Sequence, residues 1–228
     1  DIKQAIYYLG ELTGEISNHF DIYYRVHAQT YGWLDWAKNG QVAGTAGLSK
    51  RLEAIEVKLI PKGDTAPGFT TNPYIHKDPT VAYSTHVQTY GWQNFVANGQ
   101  MSGSTGQGKR LEAVKIQLKD LPYLGGIQYK THVQTYGWQN WTGKGEVNGT
   151  SGQAKRLEAI QVQLTGDIAN HYDIYYRVHS ETYGWLDWAK NGQDAGTEGR
   201  AKRLEAIEIK LVHKGDSAPG STLRPFVK

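Results

Sequence analysis

A ten-residue phrase recurs four times along the chain: "HAQTYGWLDW" from His27, "HVQTYGWQNF" from His86, "HVQTYGWQNW" from His132 and "HSETYGWLDW" from His179. Each is followed by a Gly-punctuated stretch and then by "KRLEA". Self-similarity of this kind constrains the fold more than any local pattern, because each copy must bury its apolar face against a neighbour of its own kind. The anchors lie 59, 46 and 47 positions apart. A longer period is superimposed: residues 13–45 match residues 165–197 at 27 of 33 positions, a shift of 152. Copies 1 and 4 are therefore one type, and copies 2 and 3 another. The echo continues into the Pro-containing segments, "KGDTAPGFTTNPYI" from Lys62 against "KGDSAPGSTLRPFV" from Lys214. The sequence reads as an excerpt, starting mid-period and stopping within a second linker, of an array whose unit is three copies and a linker.

Three copies of about 46 residues suggest an all-β domain that closes with pseudo-threefold symmetry, as a β-prism or β-trefoil does, since closure removes sheet edges open to aggregation. The expected divisions are a single repeat with an atypical start and linker over 1–68, a three-repeat β domain over 69–220, and the start of the next linker over 221–228. Within copy 1, "IYYRVHAQTYGW" is rich in β-branched and aromatic residues and free of Pro, which predicts one strand. Alternation puts Tyr24, Val26, Ala28 and Thr30 on one side, and Arg25, His27, Gln29, Tyr31 and Trp33 on the other. Asn39-Gly40 predicts a tight hairpin turn, and Gly44 and Gly47 supply further positions of positive φ. In "KRLEAIEVKLI" the phase of Ile55, Val57 and Leu59 predicts inward side chains, and Leu52 lies out of that phase, implying a bulge near Glu53-Ala54. The Pro-rich stretches read as linkers.

Function classes are narrowed mainly by exclusion. With 25 Lys+Arg interspersed among 22 Asp+Glu, the net charge of +3 gives no footprint for nucleic acid. The absence of Cys removes disulfides, thiolate metal sites and Cys nucleophiles. No apolar run reaches the roughly 18–20 residues needed to span a bilayer, and the His residues lack the ligand spacing of a metal site, so neither membrane insertion nor a cofactor is expected. Catalysis is not expected either, because every charged candidate recurs two to four times in equivalent settings, whereas acid–base chemistry needs unequal ones.

What remains is aromatic. Tyr31 and Trp33, with Tyr90 and Trp92, Tyr136 and Trp138, and Tyr183 and Trp185, stand two residues apart, beside His and Gln. A planar ring next to hydrogen-bonding side chains suits the apolar C–H face and the hydroxyls of a sugar. The competing reading is that rings present in every copy are core. A second aromatic, Trp36, Phe95, Trp141 or Trp188, follows three residues on and could line a groove at a junction between repeats. Between the two lies the pair that separates the copy types, Leu34-Asp35 and Leu186-Asp187 against Gln93-Asn94 and Gln139-Asn140. A neighbour-contact origin for this switch is expected, with altered ligand specificity as the other reading. Arg51 and Glu53, and their counterparts, suggest a partly buried ion pair or a bond to a neighbouring turn.

The pattern H-x-Q-x-x-G-W, then NG, G-T-x-G and K-R-L-E-A-[IV], resembles the clostridial hydrophobic repeats with a characteristic Trp, the ChW family. It is carried by Gly32-Trp33, Gly91-Trp92, Gly137-Trp138 and Gly184-Trp185 with "KRLEAI" at 50–55, 155–160 and 202–207 and "KRLEAV" at 109–114. The resemblance implies an extracellular, noncatalytic binding or adhesion module of a Gram-positive secreted or cell-surface protein. The expected partner is a cell-wall or other polysaccharide, with avidity from repetition. The alternative is a protein–protein adhesion or assembly scaffold in which the aromatics are structural and the array self-associates. Exposure of Tyr31, Trp33 and Trp36 discriminates the two.

Overall fold

The computed structural model describes residues 6–8 and 10–228. It is all-β, apart from two single-turn helices at Ile16–His19 and Ile168–His171. The chain divides into two compact units, one of residues up to 78 with 120–122, the other of 79–119 with 123–228. Residues 69–78 therefore belong with copy 1, and 221–228 with copies 2 to 4.

Each copy is a long antiparallel pair. A leading strand (Phe20–Ala28, Thr80–Val87, Gly126–Val133 or Tyr172–Ser180) pairs with a closing strand (Leu52–Pro61, Leu111–Lys119, Leu157–Thr165 or Leu204–His213). The predicted alternation holds along the leading strand: Tyr24, Val26 and Ala28 are buried while Arg25, His27 and Gln29 are half-exposed. The bulge also falls where the phase of Leu52 placed it, since Ala28 faces Leu52 and His27 faces Ala54, leaving Glu53 unmatched. Asn39 (φ 45°) and Gly40 (φ 83°) both take the left-handed backbone that a tight hairpin turn requires. Gly44 (φ 136°) and Gly47 (φ 69°) are positive as expected.

Three expectations need correction. "IYYRVHAQTYGW" is not one strand: it stops at Ala28, turns through Thr30 (φ 78°) and Gly32 (φ 73°), and returns so that Trp33 pairs with His27. A Thr reads as a strand residue in sequence, which hides the turn. The Pro-rich segments are not plain linkers. Tyr74–His76 adds in parallel to Ala43–Ala46, and Phe226–Val227 adds in parallel to Ala195–Thr197, so each crosses its copy as a strap. Finally, Ile55, Val57 and Leu59 do not point into a core; they are 42%, 46% and 48% exposed, because among the described residues no neighbour lies over them.

In unit 2 the copies exchange short bridging strands in rotation. The closing strand of copy 2 pairs with Asn148–Gly149 of copy 3, that of copy 3 with Ala195–Thr197 of copy 4, and that of copy 4 with Ser102–Gly103 of copy 2. Among the described residues no single sheet closes on itself. Glycine is obligatory at these seams: a Cβ on Gly103 would lie 2.4 Å from the Glu205 carbonyl oxygen, and one on Gly196 would lie 2.4 Å from that of Glu158. A tyrosine bolts each seam. The Tyr83 hydroxyl, pushed up to about 12 by burial, donates to the Gln100 carbonyl and accepts the Ile209 amide of copy 4 at 3.0 Å. Tyr129 and Tyr176, which donate to Glu146 and Gln193, are raised by burial in the same way. Unit 1 has a small core of its own, Tyr24, Val26, Ala28, Leu34, Ala37 and Ala43, closed by Ile22, Leu52 and Ile75.

Candidate aromatic binding site

The turn and return strand place the Tyr and Trp of each copy at the surface. Tyr31 and Trp33 are 42% and 43% exposed, Tyr90 and Tyr136 slightly more, and Trp92, Trp138, Tyr183 and Trp185 are half-exposed. The Trp is held by one network in all four copies. In copy 2, Arg110 Nη2 lies 2.8 Å from one oxygen of Glu112, and the other oxygen lies 3.1 Å from His86 Nδ1. His86 meets Trp92 edge-on, with ring centroids 5.5 Å apart. Arg156, Glu158, His132 and Trp138 repeat this, as do Arg203, Glu205, His179 and Trp185, and Arg51, Glu53, His27 and Trp33. The Glu carboxylates of copies 2 to 4 are almost fully buried; the bond from Arg to one oxygen offsets their desolvation, and the other oxygen stands against the His ring. "KRLEA" and "H…GW" are thus two halves of one support, a link that sequence reading left as a separate ion pair and a separate structural His.

A cation covers each Trp. Arg25 lies 4.9 Å from the Trp33 ring centre and 4.8 Å from that of Trp36, and Arg177 is held in the same way between Trp185 and Trp188. Lys130 does this for Trp138 and Trp141, at 5.1 and 5.0 Å. In copy 2, Ser84 stands at the cation's position, and Lys115, its register partner on the closing strand, reaches Trp92 instead at 4.2 Å. The cation is retained although its strand changes, as expected if a desolvated cation–π contact matters to the ring. Sequence reading missed these four cations; their only signal was Arg25 sharing a face with His27. The tyrosines are fixed at their tips in the middle copies, where Tyr90 donates to Gln107 Oε1 at 2.8 Å and Tyr136 to Gln153 Oε1 at 3.2 Å. The Thr preceding each Tyr is left-handed throughout, with φ of 78°, 68°, 68° and 75° at Thr30, Thr89, Thr135 and Thr182. A β-branched residue is strained there by about 1–3 kcal/mol.

The second aromatic divides the copies. Phe95 and Trp141 are 48% and 37% exposed, whereas Trp36 and Trp188 are 3% and 6% exposed, so the expectation that these two offer rings to a groove is corrected. The straps bury them. The Trp36 amide donates to the Phe69 carbonyl and the Trp188 amide to that of Ser221, while Gly68 and Gly220 pass so close to the indole nitrogens that a Cβ would sit 3.1 Å away. The Leu-Asp switch serves the same straps: Asp35 Oδ2 accepts the Asn72 amide at 2.8 Å, and Asp187 Oδ2 accepts the Arg224 amide at 2.8 Å and the Ser221 hydroxyl at 2.9 Å. Gln93 and Gln139 instead turn back onto the carbonyls of Gly91 and Gly137. The switch is thus a neighbour-contact effect.

Among the described residues no group of three or more His, Asp or Glu is arranged to hold a metal ion, and no helix is long and apolar enough to cross a membrane. Comparison with curated proteins and with solved structures gave no match. The family model described as "Clostridial hydrophobic W" matches residues 27–61, 86–120, 132–166 and 179–213. Each match runs from the His of the support network, through the Gly-Trp pair and "KRLEA", to the end of the closing strand. Those four matches cover more than half of the chain, which belongs to the ChW repeat family.

Proposed function

We propose that this chain is a noncatalytic, extracellular binding module of a Gram-positive secreted or cell-surface protein, taking polysaccharide on the Tyr–Trp pairs of its ChW copies. The observation that carries this reading is the recurrence, in all four copies, of an exposed or half-exposed Tyr and Trp on an Arg–Glu–His support, its Glu buried in copies 2 to 4, with a strained Thr before the Tyr. A ring needed only for packing would not require its orientation fixed while it faces solvent. The candidate rings are Tyr31 and Trp33 in unit 1, and Tyr90, Trp92, Phe95, Tyr136, Trp138, Trp141, Tyr183 and Trp185 in unit 2. Single shallow sites of this kind are weak, and repetition raises the avidity. The proposal extends to the architecture: the three copies of unit 2 form a pseudo-threefold domain of β-prism or β-trefoil kind, which the rotating strand exchange supports.

The test is cosedimentation with isolated Gram-positive cell walls, and titration with soluble polysaccharides followed by Trp fluorescence, using the whole chain. A Tyr90→Ala, Trp92→Ala, Tyr136→Ala, Trp138→Ala variant that unfolds cooperatively near the parent temperature is expected to lose saturable binding by at least about tenfold. Unchanged binding by that folded variant, or no glycan binding by the parent, removes the sugar reading in favour of the scaffold.

A further inference from the structure

The closing strands of copies 1 and 4 are nearly the same in sequence, "KRLEAIEVKLI" at 50–60 and "KRLEAIEIKLV" at 202–212, yet they live in different surroundings. In copy 4 the strand has a mate on each edge: its own leading strand, and Ser102–Gly103 of copy 2. Ile207 and Ile209 are 2% and 0% exposed, and Glu205 is buried. Copy 2 also supplies the Tyr83 hydroxyl to the Ile209 amide, the Gly99 amide to the Ile209 carbonyl, and the Ser104 amide to the Glu205 carbonyl. In copy 1 the closing strand pairs only with its leading strand among the described residues, and its outer face shows Ile55, Val57 and Leu59.

The other seam of copy 1 is filled. Ile6–Tyr8 pairs with Ala43–Ala46, setting Tyr7 opposite Gly44 and Tyr8 opposite Ala43. This is the register in which the closing strand of copy 3 meets copy 4, with Ala159 opposite Gly196 and Ile160 opposite Ala195. The Gly40 amide donates to the Gly10 carbonyl just as the Gly192 amide donates to that of Val162. Copy 1 is therefore built as copy 4 is, with one seam occupied and the other open.

We propose that the open edge at Ala54–Val57 and the apolar face of Ile55, Val57 and Leu59 are the docking surface for a further ChW copy of the copy 2 kind, presented in tandem with one of the copy 3 kind. The incoming Ser–Gly bridging strand pairs with Ala54 and Ile55, and the incoming buried Tyr hydroxyl accepts the Val57 amide. The occupant is identified by continuity with the interface already formed in unit 2, where an almost identical strand is covered in this way. The inference stands independently of the sugar proposal.

The experiment places residues 79–164 ahead of Thr13, so that the added copies 2 and 3 run into copy 1 at the junction found between Leu164 and Thr165, and leaves 13–228 unchanged. Amide hydrogen exchange of the Ile55 and Val57 amides, followed by NMR, is expected to slow by at least about a hundredfold relative to the parent chain. Gly103→Val in the added copy is expected to return it to the parent rate, because that Cβ meets the partner carbonyl. Unchanged exchange in the extended chain overturns the proposal. So does a parent chain that sediments as a dimer with those amides already protected, since a second molecule then covers the face.

Discussion

Copies 1 and 4 carry a strap and copies 2 and 3 do not, and this contrast separates positions that look equivalent in the repeat. Under a strap the second aromatic becomes core, its neighbour becomes an Asp, and the carboxylate holds the crossing backbone. Without one, the second aromatic is exposed, an Asn stands in place of the Asp, and the Gln before it, in place of the Leu, folds back on its own copy. A repeat residue is therefore conditioned by what crosses it, while the first Trp, which nothing crosses, keeps one support in all four copies.

The largest break in this comparison comes from the buried ring. Trp188→Ala is expected to destabilise unit 2 by about 3–5 kcal/mol in denaturant unfolding, whereas Trp141→Ala, losing a ring more than a third exposed, costs about 1 kcal/mol or less. Equal costs would show that the strap contributes no packing. Removing the clasp comes next: Asp187→Ala loses the hydrogen bonds from Arg224 and Ser221 and is expected to cost about 1–2 kcal/mol, with faster proteolysis within 214–224. Asn140→Ala, at the matching place in a bare copy, stays within about 0.5 kcal/mol.

Acid sharpens the contrast further. Asp173, on the leading strand of copy 4, is matched by Asp21 in copy 1 but by Thr80 and Gly126 in the bare copies. Burial alone would raise its carboxyl, but hydrogen bonds from Lys190, Lys214 and Asn191 outweigh burial and hold it at about 2. Asp21 is likewise lowered, chiefly by Lys38 and Asn39. A carboxyl depressed in the folded state stabilises above its unfolded value near 3.8, and that contribution is lost as the pH falls through about 2. Stability is thus expected to drop between about pH 4 and pH 2, and Asp173→Asn to flatten that slope; an unchanged slope would place the acid sensitivity elsewhere. The smallest effect is common to both classes: Thr135→Asn and Thr182→Asn each relieve a left-handed Thr and are expected to stabilise by about 0.5–1 kcal/mol in thermal unfolding, with no difference between bare and strapped copies.

Strand phase made much of this legible in advance. Alternation through Tyr24, Val26 and Ala28 gave the inward face, Asn39-Gly40 the turn, and the phase break between Leu52 and Ile55 the bulge. All three depend on residues near in sequence. The turn at Thr30 escaped because a β-branched residue there contradicts local preference, which is the mark of a strained position rather than a misread one. Burial escaped wherever it depended on a distant segment: Trp36 and Trp188 could not be told from Phe95 and Trp141 without the strap, nor Ile55 from Ile207 without copy 2. For the site, the Tyr–Trp pairs were visible as motifs, while the cations over them were not, because the chain turns back to bring Trp33, Trp138 and Trp185 over a cation of the leading strand, and in copy 2 Lys115 reaches its Trp from the closing strand.

The rotating exchange of strands in unit 2 also sets a counting rule for arrays of this kind. Excising one copy leaves a closing strand and a bridging strand without mates, and a glycine whose close approach has no purpose. Excising three in succession returns each strand to an equivalent mate. Recombination between such similar stretches is therefore expected to be tolerated in steps of 152 residues, the shift at which 13–45 and 165–197 coincide.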